Sequence, residues 1–307
     1  MKKALLVGIN NYPGYENDLR GCLNDVTNVQ DILVKHFGFD PAGIRTLADS
    51  RATKAAIVDS LSSLVAKCSA GDVLVFHYSG HGSQVRDLDG DELDDGKDEI
   101  LCPYDFNWKN GFVADDDLAA ILKGLPKGVH LEVLLDSCHS GTGTREIVLD
   151  RGRLAELGAA VGAGLADQAF KLVWGSAGCL RHKFLTPPPD VALRADEVFG
   201  PELAVRRVGS LGKGMNHALW AACRSNQFSA DADIGGTPNG AFTYYFCRHV
   251  RDSDGKLTRA ELLKRIRASL RHEGYSQVPQ LEGPESKKKK LPFGAEGEGT
   301  AGRGEDR

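Results

Sequence analysis

Two apolar runs constrain this chain more than any other feature, because each is broken at its C-terminal end by small residues and glycine. Val73-Leu74-Val75-Phe76 leads into Tyr78-Ser79-Gly80-His81-Gly82-Ser83, and Leu131-Glu132-Val133-Leu134-Leu135 leads into Asp136-Ser137-Cys138-His139-Ser140-Gly141. Short continuous apolar runs bounded this way read as strands buried on both faces. Segments of helical period separate the strands. One covers Leu23 to Phe37, with Val26, Val29, Ile32 and Leu33 on one face and Gly38 as a stop; another covers Ala55 to Lys67, capped by Thr53. Residues 3–9 and Ile44–Leu47 add strands and 116–124 a helix, so the order is a βαβ alternation and the fold class is α/β with a mostly parallel sheet.

In such a sheet, sites are built at the C-terminal ends of strands. A histidine on one tip and a cysteine on another form a thiolate–imidazole pair. Cys138 is the predicted nucleophile, and His81 the base that takes its proton and returns it to a leaving amine. The backbone amides of Gly82 and Cys138 are placed to hold an oxyanion. His139 is the competing base, but side chains of adjacent residues diverge.

Composition excludes other classes. A net charge of -4 over 307 residues leaves no nucleic-acid surface. No stretch approaches the roughly 20 apolar residues of a membrane span. The short run Ala4 to Ile9, followed by Asn10-Asn11-Tyr12-Pro13, does not read as a signal peptide, which predicts a cytoplasmic protein. The seven cysteines are scattered without a Cys-x-x-Cys, which argues against a disulfide framework and a structural zinc site.

Residues 142–214, with a Gly/Ala-rich run and Pro187-Pro188-Pro189, read as an insertion over the functional edge of the sheet. A strand from His217 to Cys223 and a helix from about Ala241 follow. The last helix opens on a capping box, Thr258-Arg259-Ala260-Glu261, with Leu262, Leu263, Ile266 and Leu270 inward. From residue 286 the Lys287–Lys290 run and a Gly/Glu-rich stretch read as a disordered tail.

The strings around His81 and Cys138, the acidic stretch Asp87-Leu88-Asp89-Gly90-Asp91-Glu92, Leu19-Arg20-Gly21-Cys22-Leu23-Asn24-Asp25-Val26 and Asn239-Gly240-Ala241-Phe242-Thr243 together resemble the metacaspases, caspase-fold cysteine peptidases. The resemblance implies a caspase-like three-layer α/β/α sandwich around a mostly parallel sheet of six or more strands. It implies a peptidase domain over 1–285, with about 142–214 an insertion between large- and small-subunit-like parts and 286–307 a tail. It further implies a monomer acting on protein or peptide substrates and cleaving after Arg or Lys. The acidic specificity pocket maps by resemblance onto Asp25 and Asp136, lined by Cys22 and Ser79. Physics agrees: two carboxylates ~5 Å apart repel by roughly 3 kcal/mol at an effective dielectric near 20, and an arriving cation relieves this. Arg20 is the one nearby residue that would suit an acidic substrate instead. Arg145, Arg151, Arg153, Lys171, Arg181, Lys183, Arg206, Arg207 and Lys213 are candidate self-cleavage sites. The alternative is a non-catalytic caspase-fold scaffold or a calcium-binding regulator, against which the presence of both Cys138 and His81 argues.

Eight of the thirteen residues from Asp87 to Glu99 are acidic, and Asp115-Asp116-Asp117 follow. Such carboxylate clusters suit Ca²⁺, though the spacing is not that of an EF-hand. Many metacaspases are calcium-activated, and the resemblance maps the ligands onto Asp98, Asp115 and Asp116. Arg145 stands where the family has a further carboxylate, with Glu146 beside it.

Overall fold

The computed structural model describes residues 1–86, 97–138, 180–188, 191, 217–224 and 227–294. Its centre is a six-stranded sheet. In chain order the elements are β1 (Lys2–Gly8), α1 (Cys22–Phe37), β2 (Ile44–Ala48), α2 (Lys54–Ala66), β3 (Val73–Ser79), β4 (Gly82–Arg86), β5 (Lys97–Leu101), β6 (Val113–Ala114), α3 (Asp115–Leu122) and β7 (His130–Asp136). Then come β8 (Arg181–His182), β9 (Ala218–Ala221), β10 (Ala230–Ile234), β11 (Thr237–Gly240), α4 (Ala241–Asp252), α5 (Arg259–His272), β12 (Gln280–Glu282) and α6 (Glu285–Lys288). The central order is β12-β9-β7-β3-β1-β2, parallel throughout except for β12, which runs antiparallel to β9. Two three-stranded sheets, β11-β10-β8 and β4-β5-β6, lie beside it.

Strand alternation divides the interior into two cores. Ala4, Leu6, Val73, Val75 and Leu134 pack with α1, α4 and α5 on one face. Leu5, Val7, Leu74, Phe76, Leu131, Val133 and Leu135 pack with α2 and α3 on the other. Helices thus cover both faces, giving the three-layer sandwich expected from the sequence. Helix α1 stops at Gly38, whose left-handed φ of 66° closes the last turn on Leu33. Thr53 caps α2, and the Thr258–Glu261 capping box opens α5.

That capping box aims Arg259 at the sheet. Its guanidinium meets Glu132 on β7 with Nε–Oε1 2.8 Å, and Glu132 also accepts from Trp220 Nε1 on β9 at 2.6 Å. This buried pair joins α5 to two strands.

The expected tail over 286–307 is corrected for residues 286–294, and 295–307 lie outside the described residues. Glu285–Lys288 form a helical turn, the Arg259 amide donates to the Lys290 carbonyl at 2.9 Å, and Phe293 is buried against Phe37 and Phe246. One aromatic ring outweighs the polar composition around it, because burying a phenyl group returns roughly 1.5–3 kcal/mol. Most of the 142–214 insertion lies outside the described residues, but residues 180–188 are placed within the site. Among the described residues no helix is long and apolar enough to cross a membrane.

Candidate active site

Register builds the site. Ser79 at the end of β3 pairs with Asp136 at the end of β7, so their side chains stand side by side on the face covered by α1 and α4. Asp25 reaches in from the first turns of α1, and Gly240 and Thr243 from the β11–α4 junction. Ser79 Oγ donates to Asp25 Oδ2 at 2.7 Å, and the Gly240 amide donates to Asp25 Oδ1 at 2.9 Å. Asp136 accepts from Ser229 Oγ at 2.7 Å, from Thr243 Oγ1 at 2.6 Å and from the Thr243 amide at 3.0 Å. Gly240 is required here: a Cβ on it would collide with both carboxylates. The Cys22 thiol lies beside Ser79, and burial pushes it up.

The pocket holds a residue of the chain itself. Lys183 is fully buried, its Nζ 3.0 Å from Asp25 Oδ2, 3.1 Å from Asp136 Oδ1 and 2.9 Å from Ser79 Oγ. Its carbonyl oxygen accepts from the amides of Gly82 at 3.0 Å and Cys138 at 3.1 Å. The flanking backbone is also seated. The Lys183 amide donates to the Ser229 carbonyl at 3.1 Å, β8 pairs antiparallel with β10, and the Leu185 amide donates to the Gly82 carbonyl at 3.0 Å.

Charge follows geometry. Burial pushes Asp25 up to about 6, against the opposing pull of Lys183. Burial would raise Asp136 too, but Lys183 and the hydrogen bonds of Thr243 and Ser229 hold it below the usual carboxylate range. Burial acts on Lys183 in the opposite sense, yet Asp136 and Asp25 outweigh it and keep the ammonium charged. Arg20, the residue that would have suited an acidic partner, is exposed; its backbone engages the region, the amide donating to Asp231 Oδ2 at 2.7 Å and the carbonyl accepting from Asn10 Nδ2 at 3.1 Å.

Burial pulls His81 down to about 4, so its ring is neutral at pH 7. Its Nε2 lies 2.7 Å from the Asn17 carbonyl, which can only accept, so that nitrogen carries the proton. Nδ1 is therefore the basic nitrogen; it is buried and has no hydrogen-bond partner among the described residues. The Cys138 sulfur accepts from the Ser229 amide at 2.6 Å. No hydrogen bond between His81 and this thiol is seen. The two residues are linked through the Lys183 carbonyl, which Cys138 and Gly82, the neighbour of His81, both hold. A hydrogen bond with the Cys138 thiol, followed by burial, pushes Cys223 up.

The structure thus brings together Cys138, Gly82, Asp25, Asp136, Ser79 and Cys22, with His81 beside them. The roles of Ser229, Thr243 and Asn17 and the seating of Lys183 in the pocket were not foreseen, although Thr243 lay in a string already noted and Lys183 stood among the candidate self-cleavage sites. Asp98 falls on β5 and Asp115 and Asp116 at the start of α3, which antiparallel β5–β6 pairing draws to one edge. Among the described residues, however, no group of three His, Cys, Asp or Glu side chains could hold a metal ion. The acidic loop 87–96, His139, Arg145 and Glu146 lie outside the described residues.

Comparison with known proteins places the sequence and the fold. Residues 2–145 match the family described as metacaspase, peptidase C14 domain. Metacaspase-1 of Meyerozyma guilliermondii is 34% identical, the alignment covering 91% of this chain and 68% of that protein. Metacaspase-1 of Schizosaccharomyces pombe is 33% identical over 91% of this chain and 66% of the relative, and that of Yarrowia lipolytica 37% identical over 91% and 61%. The chain therefore spans about two thirds of the length of these relatives. Among solved structures, protein GSU0716 of Geobacter sulfurreducens superposes with a TM-score of 0.68 at 26% identity, covering 96% of this chain and 98% of that one. Caspase-1 of Spodoptera frugiperda shares the fold, with a TM-score of 0.50 at 11% identity, covering 92% and 86%. With a caspase-like sandwich, a cysteine and a histidine at its strand tips and this kinship, the chain belongs to the metacaspase family of cysteine peptidases.

Proposed function

We propose that this chain is an endopeptidase that cleaves after Lys or Arg, and that its first substrate is its own Lys183–Phe184 bond. One observation carries the reading: Lys183 is seated as a substrate residue would be, its ammonium between Asp25 and Asp136 and its carbonyl on two amide donors. Donors at 3.0–3.1 Å from a carbonyl oxygen are positioned to stabilise the charge it gains in a tetrahedral intermediate. An arginine would suit the same slot, since a guanidinium fork can engage two carboxylates.

In the reaction, His81 Nδ1 takes the Cys138 thiol proton and the thiolate attacks the Lys183 carbonyl carbon. The oxyanion develops between the Gly82 and Cys138 amides. The C–N bond breaks as the Phe184 nitrogen takes the proton from His81, leaving an acyl-enzyme. Water, deprotonated by His81, releases the new carboxylate and regenerates the thiol.

Calcium activation and the Asp98, Asp115 and Asp116 ligand set are part of this proposal. The described side chains do not complete a metal site by themselves, so no chemical step is assigned to the ion. A monomer fits the sheet: its β9 edge is covered by the three-residue β12, which ends on Glu282 before Gly283 and Pro284. Six described cysteines are unpaired, in keeping with a reducing cytoplasm.

The test is intact-mass analysis of the full chain incubated with Ca²⁺ or with a chelator, beside Cys138→Ala, together with fluorogenic peptides ending in Lys, Arg or Asp. The expected result is fragments 1–183 and 184–307 from the wild type only, turnover of Lys and Arg peptides, and loss of both with chelator. Faster turnover of the Asp peptide would sink the pocket reading. Identical intact masses would sink self-cleavage, and unchanged activity in chelator would remove calcium.

A further inference from the structure

The segment in the site carries information on both sides of Lys183. Along an extended chain, residues two apart share a face. Lys183 points into the pocket, and His182 and Phe184 both meet one ring, that of Phe228. The His182 and Phe228 ring centroids are 4.9 Å apart; those of Phe184 and Phe228 are 5.6 Å apart in an edge-to-face arrangement. A single aromatic side chain therefore touches the residue before Lys183 and the residue after it, on either side of the residue whose bond is to be cut.

Phe228 is held for that task by its neighbour. Ser229 donates its amide to the Cys138 sulfur, its hydroxyl to Asp136, and accepts the Lys183 amide on its carbonyl. With Ser229 fixed to nucleophile, pocket and substrate backbone, the Phe228 ring is anchored beside the scissile bond rather than on a loose loop. Its half-buried state means that departure of residues 182–184 exposes an apolar ring at the mouth of the groove. Edge-to-face and tilted aromatic pairs gain more than their buried area alone supplies.

We propose that Phe228 is a specificity-determining residue that selects substrates with an aromatic ring, His, Phe, Tyr or Trp, immediately before or after the cleaved Lys or Arg. This rests on the endopeptidase reading above, of which it names the substrate class.

The experiment uses internally quenched peptides built on Leu-Ala-His-Lys-Phe-Leu, in which Lys is the one cleavable residue, with His, Phe or both replaced by Ala, and a further peptide with Lys replaced by Ala, which should stay uncut. They are assayed with Ca²⁺ on the full chain as wild type, Phe228→Leu and Phe228→Tyr. Leu keeps the apolar bulk of this half-buried position without the ring, and Tyr keeps the ring. In the wild type each aromatic-to-Ala replacement should lower kcat/KM roughly two- to tenfold. Phe228→Tyr should preserve that ratio, whereas Phe228→Leu should bring it near one while still cutting the doubly Ala-flanked Lys peptide. Equal kcat/KM across the flanks in the wild type, or an undiminished ratio in Phe228→Leu, would overturn the proposal and leave Lys cleavage standing. Failure of the wild type to cut any Lys peptide would instead overturn the endopeptidase reading.

Discussion

Asp25 and Asp136 are two carboxylates of one pocket in different states. Asp136 receives three hydrogen bonds from Ser229 and Thr243 besides Lys183, whereas Asp25 is pushed up to about 6 by burial. The raised value means that Asp25 takes a proton as pH falls through about 6, and the pocket then loses half its negative charge. His81, drawn down to about 4, is still a neutral base in that window. The pH profile of kcat/KM for a Lys peptide should therefore lose activity on one proton with a midpoint at or above about 6. The empty pocket sits at the upper end because the substrate ammonium itself pulls Asp25 down. A profile flat from pH 7 to pH 5 would contradict this assignment. An Asp25→Asn variant should raise KM for Lys peptides far more than it lowers kcat.

Arg259 shows how one helix start is tied to the centre of the sheet. Thr258 caps α5, the next residue turns its guanidinium to Glu132, and Trp220 shares the same carboxylate. Removing one partner of a buried pair leaves an uncompensated charge, so Arg259→Leu should lower unfolding stability by about 3–5 kcal/mol in urea titration. Glu132→Leu with Arg259→Leu together should cost less than the sum of the singles. Elements of this kind were legible in the sequence: period 3.6 located α1, α2 and α5, the apolar runs located β3 and β7, and Thr53, Gly38 and Thr258 marked the ends. The tips of β3 and β7 were legible too, because glycine after an apolar run is a local signal. Ser229 and the seat of Lys183 were not. Neither lies in a periodic segment, and each acts through contacts distant in sequence, the farthest 158 residues away, that composition does not encode. Phe293 was hidden for the same reason, a single buried ring in a polar tail.

At the scale of the molecule, the described chain leaves β7, seats Lys183 in the pocket and returns to the same sheet. β7, which leads into Cys138, pairs in parallel with β9, which lies beyond Lys183 in sequence. Both cores draw residues from either side of residue 183; Leu134 packs with Trp220 and Phe246 in one, and Leu219 with Val133 in the other. Cutting after Lys183 therefore severs no core. Fragments 1–183 and 184–307 should co-elute in native size-exclusion chromatography at the volume of the uncut chain and separate only in denaturant. Two separate native peaks would show that the shared sheet does not hold them.

Lys183 reaches Cys138 along its own chain, anchored by β8 on one side and by Leu185 against Gly82 on the other. The self-cleavage proposed above would therefore be unimolecular. Its half-time should be the same in a dilute sample as in a concentrated one, and a half-time that shortens with concentration would contradict this. Under that proposal the protein would work as a timer that each copy runs alone, started by whatever frees its own chemistry and indifferent to how many copies surround it.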